Sequence, residues 1–250
     1  MAAPLPRERV VLAVDVGAEM FEDWDARKPE RGSRASVVLG ALQNFVERKA
    51  LVSPTTTWAV VALRDGAAPS PLLEYTGERE AVVATLRSLA TPEGGGDDAT
   101  AEAAPFDLAV FFSSVDALRD VGRRPADVVD RCVLVFARAR AVPMAMAETP
   151  ALLDDPRFHF DAIYVHAKAA DDNYVQAVFL AVTDLAAGRP RDASFFFETT
   201  ASLGKLHQSF AILLAHPGLR DEQDAIAEKL AREPGADAEP ENTVVMTALA

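Results

Sequence analysis

Short apolar segments, each too short to be a helix, alternate along this chain with longer segments of helical periodicity. The strand-like segments are residues 9–16, 55–66, 71–77, 131–138, 158–167 and 193–200, and the helical ones are 36–50, 78–90, 106–121, 171–188 and 202–217. Strands that alternate with helices build a mostly parallel sheet with helices on both faces. The sequence therefore predicts an α/β, Rossmann-like fold, in which the segment 71–77 lies near an edge of the sheet.

The alternating pattern divides the chain into three parts. Residues 1–8 are a short N-terminal arm, residues 9–218 form the domain, and residues 219–250 form an acidic tail that we expect to be flexible. From residue 221 onward the sequence has eight acidic and two basic residues, a net charge of −6. A length of 250 residues suits one large α/β domain with such a tail.

Composition narrows the class of protein. The net charge of −13 argues against nucleic-acid binding, which needs a basic surface. No apolar run approaches the ~20 residues of a membrane helix, and the N-terminus has no apolar signal-peptide core. The single cysteine, Cys132, fits a reducing compartment. We therefore expect a protein of the cytoplasm and nucleus whose partner is another protein, neither nucleic acid nor a membrane.

The first strand delivers one carboxylate, Asp15, in the stretch "VVLAVDVGAEM". The carboxyl end of a buried strand is where α/β folds bind ions and phosphates. Three motifs place an aspartate there: Asp-x-Ser-x-Ser of von Willebrand A metal sites, Asp-x-Asp of haloacid-dehalogenase-like phosphatases, and Asp-x-Gly of actin-like kinases. The sequence has Gly17 and Glu19 where the first motif requires serines.

None of the three motifs is complete. Arg138 stands near the place of a second carboxylate, where a cation opposes a divalent metal and would pair with Asp15. Thr100 offers one oxygen, which does not rebuild the site. The phosphatase motif fails at Gly17, and the kinase motif lacks a second phosphate loop beyond the turn at Asp65. The sequence thus predicts a degenerate metal site, no enzyme activity and no cofactor.

Four stretches together carry a resemblance to a known family: "RVVLAVDVGAEM", "RCVLVFARARAVP", "RFHFDAIYVHAK" and "LGKLHQSFAILLAHPGLR". In this order and spacing they resemble the MERIT-type subunit of the BRISC and BRCA-A deubiquitinase complexes, a von Willebrand A-like protein. The resemblance covers about residues 9–220. The long N-terminal extension of the animal members has no counterpart in this sequence.

The resemblance implies a non-catalytic adaptor. Family members bind a BRE-type ubiquitin-conjugating-variant subunit and stabilise an assembly with an Abraxas-type scaffold and a JAMM zinc deubiquitinase. That enzyme removes lysine-sixty-three-linked ubiquitin, at DNA breaks in the nucleus and on signalling proteins in the cytoplasm. The candidate partner-binding residues are His216, Pro217, Leu219, Arg220, Val244, Val245 and Met246. For the last three, addition to a partner's groove and plain disorder are equally open.

Two other interpretations remain at this stage. A von Willebrand A domain could still bind Mg²⁺ through Asp15, Glu19 and an acidic loop, and so capture a carboxylate of a ligand. The second of these interpretations is a phosphatase or nucleotide enzyme that uses Asp15. If Asp15 has only a structural role, it caps the loop after the first strand or pairs with Arg138.

Overall fold

A computed structural model describes residues 5–91, 105–120, 127–144, 146, 148–186 and 194–232. Its centre is a six-stranded sheet with the order β3-β2-β1-β4-β5-β6. The strands are β1 (Arg7–Asp15), β2 (Thr57–Leu63), β3 (Ser70–Thr76), β4 (Val128–Phe136), β5 (Phe158–Val165) and β6 (Phe196–Thr199). β3, at one edge, runs antiparallel to β2, and the other neighbouring pairs are parallel. The predicted mostly parallel sheet is therefore confirmed.

Among the described residues, seven α-helices accompany the sheet. They are α1 (Arg34–Val52), α2 (Arg79–Ser88), α3 (Leu108–Asp120), α4 (Ala151–Asp154), α5 (Val175–Thr183), α6 (Leu203–Leu213) and α7 (Gln223–Arg232). Side chains of α1, α2 and α6 pack in one hydrophobic cluster against one face, and those of α3, α4 and α5 pack against the other. Within the part of the chain that is described, no helix combines the length and apolarity needed to cross a bilayer.

The four central strands are largely buried because both faces of the sheet are covered. Every residue of β4 is buried, which accounts for the near-continuous apolar run in that segment. Cys132 lies on β4, and burial raises the pKa of its thiol, so it behaves as a small core residue. Successive strand residues serve opposite faces, so Val10 belongs to one cluster and Val11 to the other.

Three helices differ from the sequence prediction, and one of them, the four-residue α4, lies where no helix was predicted. α5 begins at Val175 rather than at Asp171, and no side chain caps its first turn. Asn173 instead uses its side chain within the preceding turn, where it contacts the backbone of Lys168 and Ala170. α7 was not predicted, and it lies in the stretch assigned to the acidic tail. The domain boundary at residue 218 stays a prediction.

Candidate functional site

Asp15 ends the central strand β1 and is completely buried. β1 lies between β2 and β4, so the carboxylate lies at the middle of the carboxyl edge of the sheet. Its two oxygens receive backbone N–H groups: Gly17 donates to Oδ1 at 3.0 Å and Ala137 donates to Oδ2 at 3.1 Å. Asp15 therefore joins the loops that follow β1 and β4.

The guanidinium of Arg138 lies against Asp15, so the predicted ion pair is present. Nε and Nη2 are 3.1 and 3.0 Å from Oδ1 of Asp15, and Nη1 is 3.2 Å from Oδ1 of Asp65. Burial acts to lower the pKa of Arg138, but these carboxylates outweigh it and raise the pKa above its ordinary value. Arg138 is therefore a permanent internal cation between two carboxylates.

Asp65 also explains the glycine at position 17. A Cβ atom on Gly17 would lie 2.6 Å from Oδ1 of Asp65, closer than such atoms approach. The other oxygen of Asp65 accepts the backbone N–H of Ala18 at 2.7 Å. A serine at position 17, as in the metal motif, would have to displace this carboxylate. The sequence suggested only a turn for Asp65, and its contact with Arg138 was missed.

Glu19 stands at the second serine position and is also engaged internally. Its two carboxylate oxygens accept the backbone N–H groups of Ala139 and Arg140 at 2.9 and 3.1 Å. Burial raises the pKa of Glu19 above its ordinary value. Glu19 thus holds the loop after β4, and both its oxygens have donors.

A divalent metal does not fit these residues. All four carboxylate oxygens of Asp15 and Glu19 accept N–H groups, and the guanidinium of Arg138 supplies the positive charge between Asp15 and Asp65. Across the described ranges, no group of three or more His, Cys, Asp or Glu side chains is arranged to hold a metal ion. Thr100 lies outside the described residues.

A second cluster of charges lies at the opposite, amino end of the sheet, inside the hydrophobic core. Asp161 on β5 receives both terminal nitrogens of Arg220, at 2.8 and 2.6 Å, and Nε of Arg131 on β4, at 2.7 Å. Nη1 of Arg131 lies 3.1 Å from Oε1 of Glu8 on β1. The other oxygen of Glu8 lies 2.6 Å from Nζ of Lys49 on α1. We call these five residues the core ion network.

The core ion network has more basic than acidic side chains, and helix α6 offsets the difference. The backbone carbonyl groups of Leu213 and Leu214, at its C-terminus, accept from Arg131 at 2.6 Å and from Lys49 at 2.9 Å. The carboxyl end of a helix carries partial negative charge, which favours nearby cations. Burial acts to raise the pKa of Asp161, but Arg220 and Arg131 outweigh it and hold the pKa well below its usual range. Asp161 therefore remains ionised at neutral pH.

The candidate partner-binding residues separate into buried and exposed positions. Arg220 and Pro217 are buried within this chain, and their part in partner binding stays a prediction. His216 connects the chain ends of the domain: its Nε2 lies 3.0 Å from the carbonyl oxygen of Pro6, and its Nδ1 accepts the N–H of Gly218 at 3.0 Å. Leu219 is 66% exposed. Residues Val244, Val245 and Met246 lie outside the described residues.

Several solved structures resemble this chain. The von Willebrand A (VWA) domain of SpRpn10 aligns with a TM-score of 0.51 and 13% identity, over 82% of this chain and 94% of that one. The conserved hypothetical protein BatB from Bacteroides thetaiotaomicron gives 0.53 and 9%, over 81% and 97%. The PilB minor pilin from Streptococcus sanguinis gives 0.57 and 8%, over 94% of this chain and 65% of the pilin.

The chain therefore has a von Willebrand A-like fold. At identities of 8–13%, these likenesses show the fold alone. No protein-family model matches the chain, and no curated protein matches its sequence.

Proposed function

We propose that this von Willebrand A-like chain is a non-catalytic adaptor that binds a BRE-type subunit. It stabilises an assembly with an Abraxas-type scaffold and a JAMM zinc deubiquitinase that removes lysine-sixty-three-linked ubiquitin. The assembly acts in the DNA damage response in the nucleus and in signalling in the cytoplasm. The proposal takes its partners from the resemblance carried by four stretches of the sequence.

The von Willebrand A-like fold, which the resemblance implies, is the observation that carries this proposal. The core ion network joins the four stretches within that fold. Each of the four stretches contributes to it or adjoins it: Glu8 precedes the first, and Arg131, Asp161 and Arg220 belong to the other three. Charged residues are rarely buried without partners, so an arginine in one stretch needs an acid in another. The four stretches are therefore parts of one interdependent structural unit of this chain.

The geometry around Asp15 supports the non-catalytic part of the proposal. A carboxylate that acts as nucleophile, base or metal ligand needs a lone pair that the reacting atom can reach, and Asp15 is completely buried. Both oxygens of Asp15 accept N–H groups, and one of them also pairs with Arg138. These contacts give Asp15 a structural role.

Affinity purification of the tagged full chain from its own cells, followed by mass spectrometry, tests the proposal. We expect a BRE-type subunit and a JAMM deubiquitinase to be recovered in similar amounts. The matched control is the same tag without the chain, expressed in the same cells, which should recover neither. Repeated recovery of the folded chain without a BRE-type subunit would reject the adaptor role.

A calorimetric titration separates the adaptor from the metal-dependent alternative. If Asp15 and Glu19 bound Mg²⁺, the purified chain would release or absorb heat on titration with MgCl₂ or MnCl₂. The adaptor proposal predicts no binding heat, because Arg138 already neutralises the carboxylates. A saturable signal that Asp15→Asn abolishes would favour the metal-dependent domain instead.

A further inference from the structure

A cavity of about 290 Å³ opens at the carboxyl edge of the sheet, beside Arg138. The loop after β2 and the start of α3 form its walls. Most of its lining is apolar and comes from Ala67, Ala68, Pro69, Pro105, Phe106 and Val110. Small-molecule sites usually have volumes of about 300–1,000 Å³, so this cavity is at the lower limit of that range. Its size fits one or two inserted side chains better than a nucleotide or a cofactor.

The charged groups of the cavity are already compensated. Arg138 pairs with Asp15 and Asp65, and the second lining guanidinium, that of Arg64, also has an interaction partner. The carboxylate of Asp107 accepts the backbone N–H of Val110 at 3.0 Å. With Arg138 neutralised by two carboxylates, the interior of the cavity offers little attraction to a carboxylate or phosphate. The remaining lining favours an apolar occupant.

Exposed apolar side chains extend this surface beyond the cavity. Val110 lies at its rim and is 40% exposed. Met144 is exposed as well, and its backbone N–H donates to the carbonyl group of Phe106 at 2.8 Å. Tyr174 is held next to Arg138 by its N–H, which donates to the carbonyl group of Ala139 at 2.7 Å. Exposed apolar residues grouped around a cavity are typical of protein-binding surfaces.

We propose that this edge is a docking surface on which a partner protein inserts an apolar side chain into the cavity without a divalent cation. Arg138 supplies the positive charge that holds the two loops together, so the surface is complete without metal. The inserted side chain comes from a neutral or basic surface of the partner, because this chain has a net charge of −13. The inference rests on the proposed adaptor function and names the surface that it uses.

The test compares two glutamate substitutions in the full chain, purified from its own cells in the presence of EDTA. Val110→Glu places a charge at the rim of the cavity. Leu180→Glu is the matched control, since Leu180 on α5 is also 40% exposed but does not line the cavity. We expect Val110→Glu to reduce recovery of the BRE-type subunit by about tenfold or more, the effect of losing an interface hot spot. Leu180→Glu should leave recovery at the wild-type level.

Each other result contradicts the proposal in a recognisable way. Equal recovery by all three proteins would leave the adaptor role intact and reject the docking surface. Equal losses in both variants would reject it too, because the cavity would have no special part. A wild-type chain that recovers no BRE-type subunit would reject the adaptor function and, with it, this inference. If circular dichroism shows that Val110→Glu is unfolded, Ala68→Trp, which fills the cavity from a loop, takes its place with the same expected loss.

Discussion

At the scale of single residues, one arginine accounts for the chemistry of the carboxyl edge. Arg138 lies between Asp15 and Asp65, and its bonds to them replace those that a metal ion would make to carboxylates. A guanidinium differs from a metal ion because it is covalently attached and always charged. The loops around it are therefore organised at any divalent cation concentration.

Removal of the carboxylate of Asp15 should destabilise the fold without affecting any chemistry. In Asp15→Ala, two buried N–H groups lose their acceptor and Arg138 keeps only Asp65, so we expect the free energy of unfolding to fall by about 1–3 kcal/mol. Urea denaturation measures the change. Asp171→Ala, at an exposed position, is the control and should have almost no effect. An unchanged midpoint for Asp15→Ala would contradict the structural role.

A serine at position 17, as in the metal motif, should lower the stability of the fold. The new Cβ of Gly17→Ser would meet Oδ1 of Asp65, so we expect a loss of about 1–3 kcal/mol from overpacking. The loss should be smaller in an Asp65→Ala background, where the obstructing carboxylate is absent. Gly40→Ser is the control, because a Cβ there meets nothing within 4 Å. Equal losses in both backgrounds, measured by thermal unfolding, would contradict this explanation of the glycine.

The stability of the domain should fall in mild acid, partly because of His216. Burial lowers its pKa from the usual 6.5, and Nδ1 must stay unprotonated to accept the N–H of Gly218. The unfolded state therefore binds the proton more readily, so the stability present above about pH 6.5 is lost as the pH falls below it. His216→Gln should reduce this loss, whereas His207→Gln, on the exposed side of α6, should not.

Melting temperatures between about pH 7.5 and pH 5.5 measure this dependence. His166, whose pKa burial also lowers, should maintain part of the acid sensitivity in His216→Gln. A pH profile of His216→Gln identical to that of the wild type would contradict the role of His216.

At the scale of elements, Arg220 determines where the C-terminal segment lies. Its guanidinium reaches Asp161 on β5 and lies 4.4 Å from the centre of the Phe195 ring. Three residues later, the side-chain amide of Gln223 bonds to both the N–H and the carbonyl group of Phe196, at 2.9 and 2.8 Å. α7 is thereby fixed beside β6, and the amide covers part of an otherwise open sheet edge.

Replacing Arg220 should loosen this whole segment. Arg220→Met removes one partner of a buried ion pair, and the expected loss in the free energy of unfolding is about 3–5 kcal/mol. Amide hydrogen exchange in α7 should accelerate more than exchange in β1. Lys229→Ala is the control, because its ion pair with Asp221 is exposed and contributes about 1 kcal/mol or less. Unchanged exchange in α7 would contradict the anchoring role of Arg220.

The charged residues at the carboxyl edge are easier to predict from the sequence than those of the core ion network. Strand ends can be located from apolar runs, so Asp15 and Arg138 could be placed together. Arg220 could not be placed beside Asp161 from the sequence. Charged residues are normally exposed, and the stretch "LLAHPGLR" is typical of a helix end at the surface. One signal was available: Arg131 and Asp161 interrupt buried strands and must have partners. α7 was missed because the acidic composition after residue 218 outweighed the helical spacing of Ile226 and Leu230.

At the scale of the whole molecule, the two ends of the sheet differ in structure. The amino end contains the core ion network, which joins three strands, α1 and the segment after α6. The carboxyl end presents the cavity and exposed apolar side chains next to a neutralised charge cluster. In the adaptor proposal, the amino end stabilises the sheet and the carboxyl end contacts the partner. The fold itself is von Willebrand A-like.

Sedimentation velocity of the purified full chain mixed with a recombinant BRE-type subunit measures whether the two proteins bind and whether binding needs a divalent metal ion. We predict a complex that sediments faster than either protein. Its stoichiometry should be the same in EDTA and in MgCl₂, because Arg138 takes the place of a metal ion. Two independent species in both buffers would contradict the adaptor role. A complex that forms only with Mg²⁺ would contradict the metal-independent organisation of the carboxyl edge.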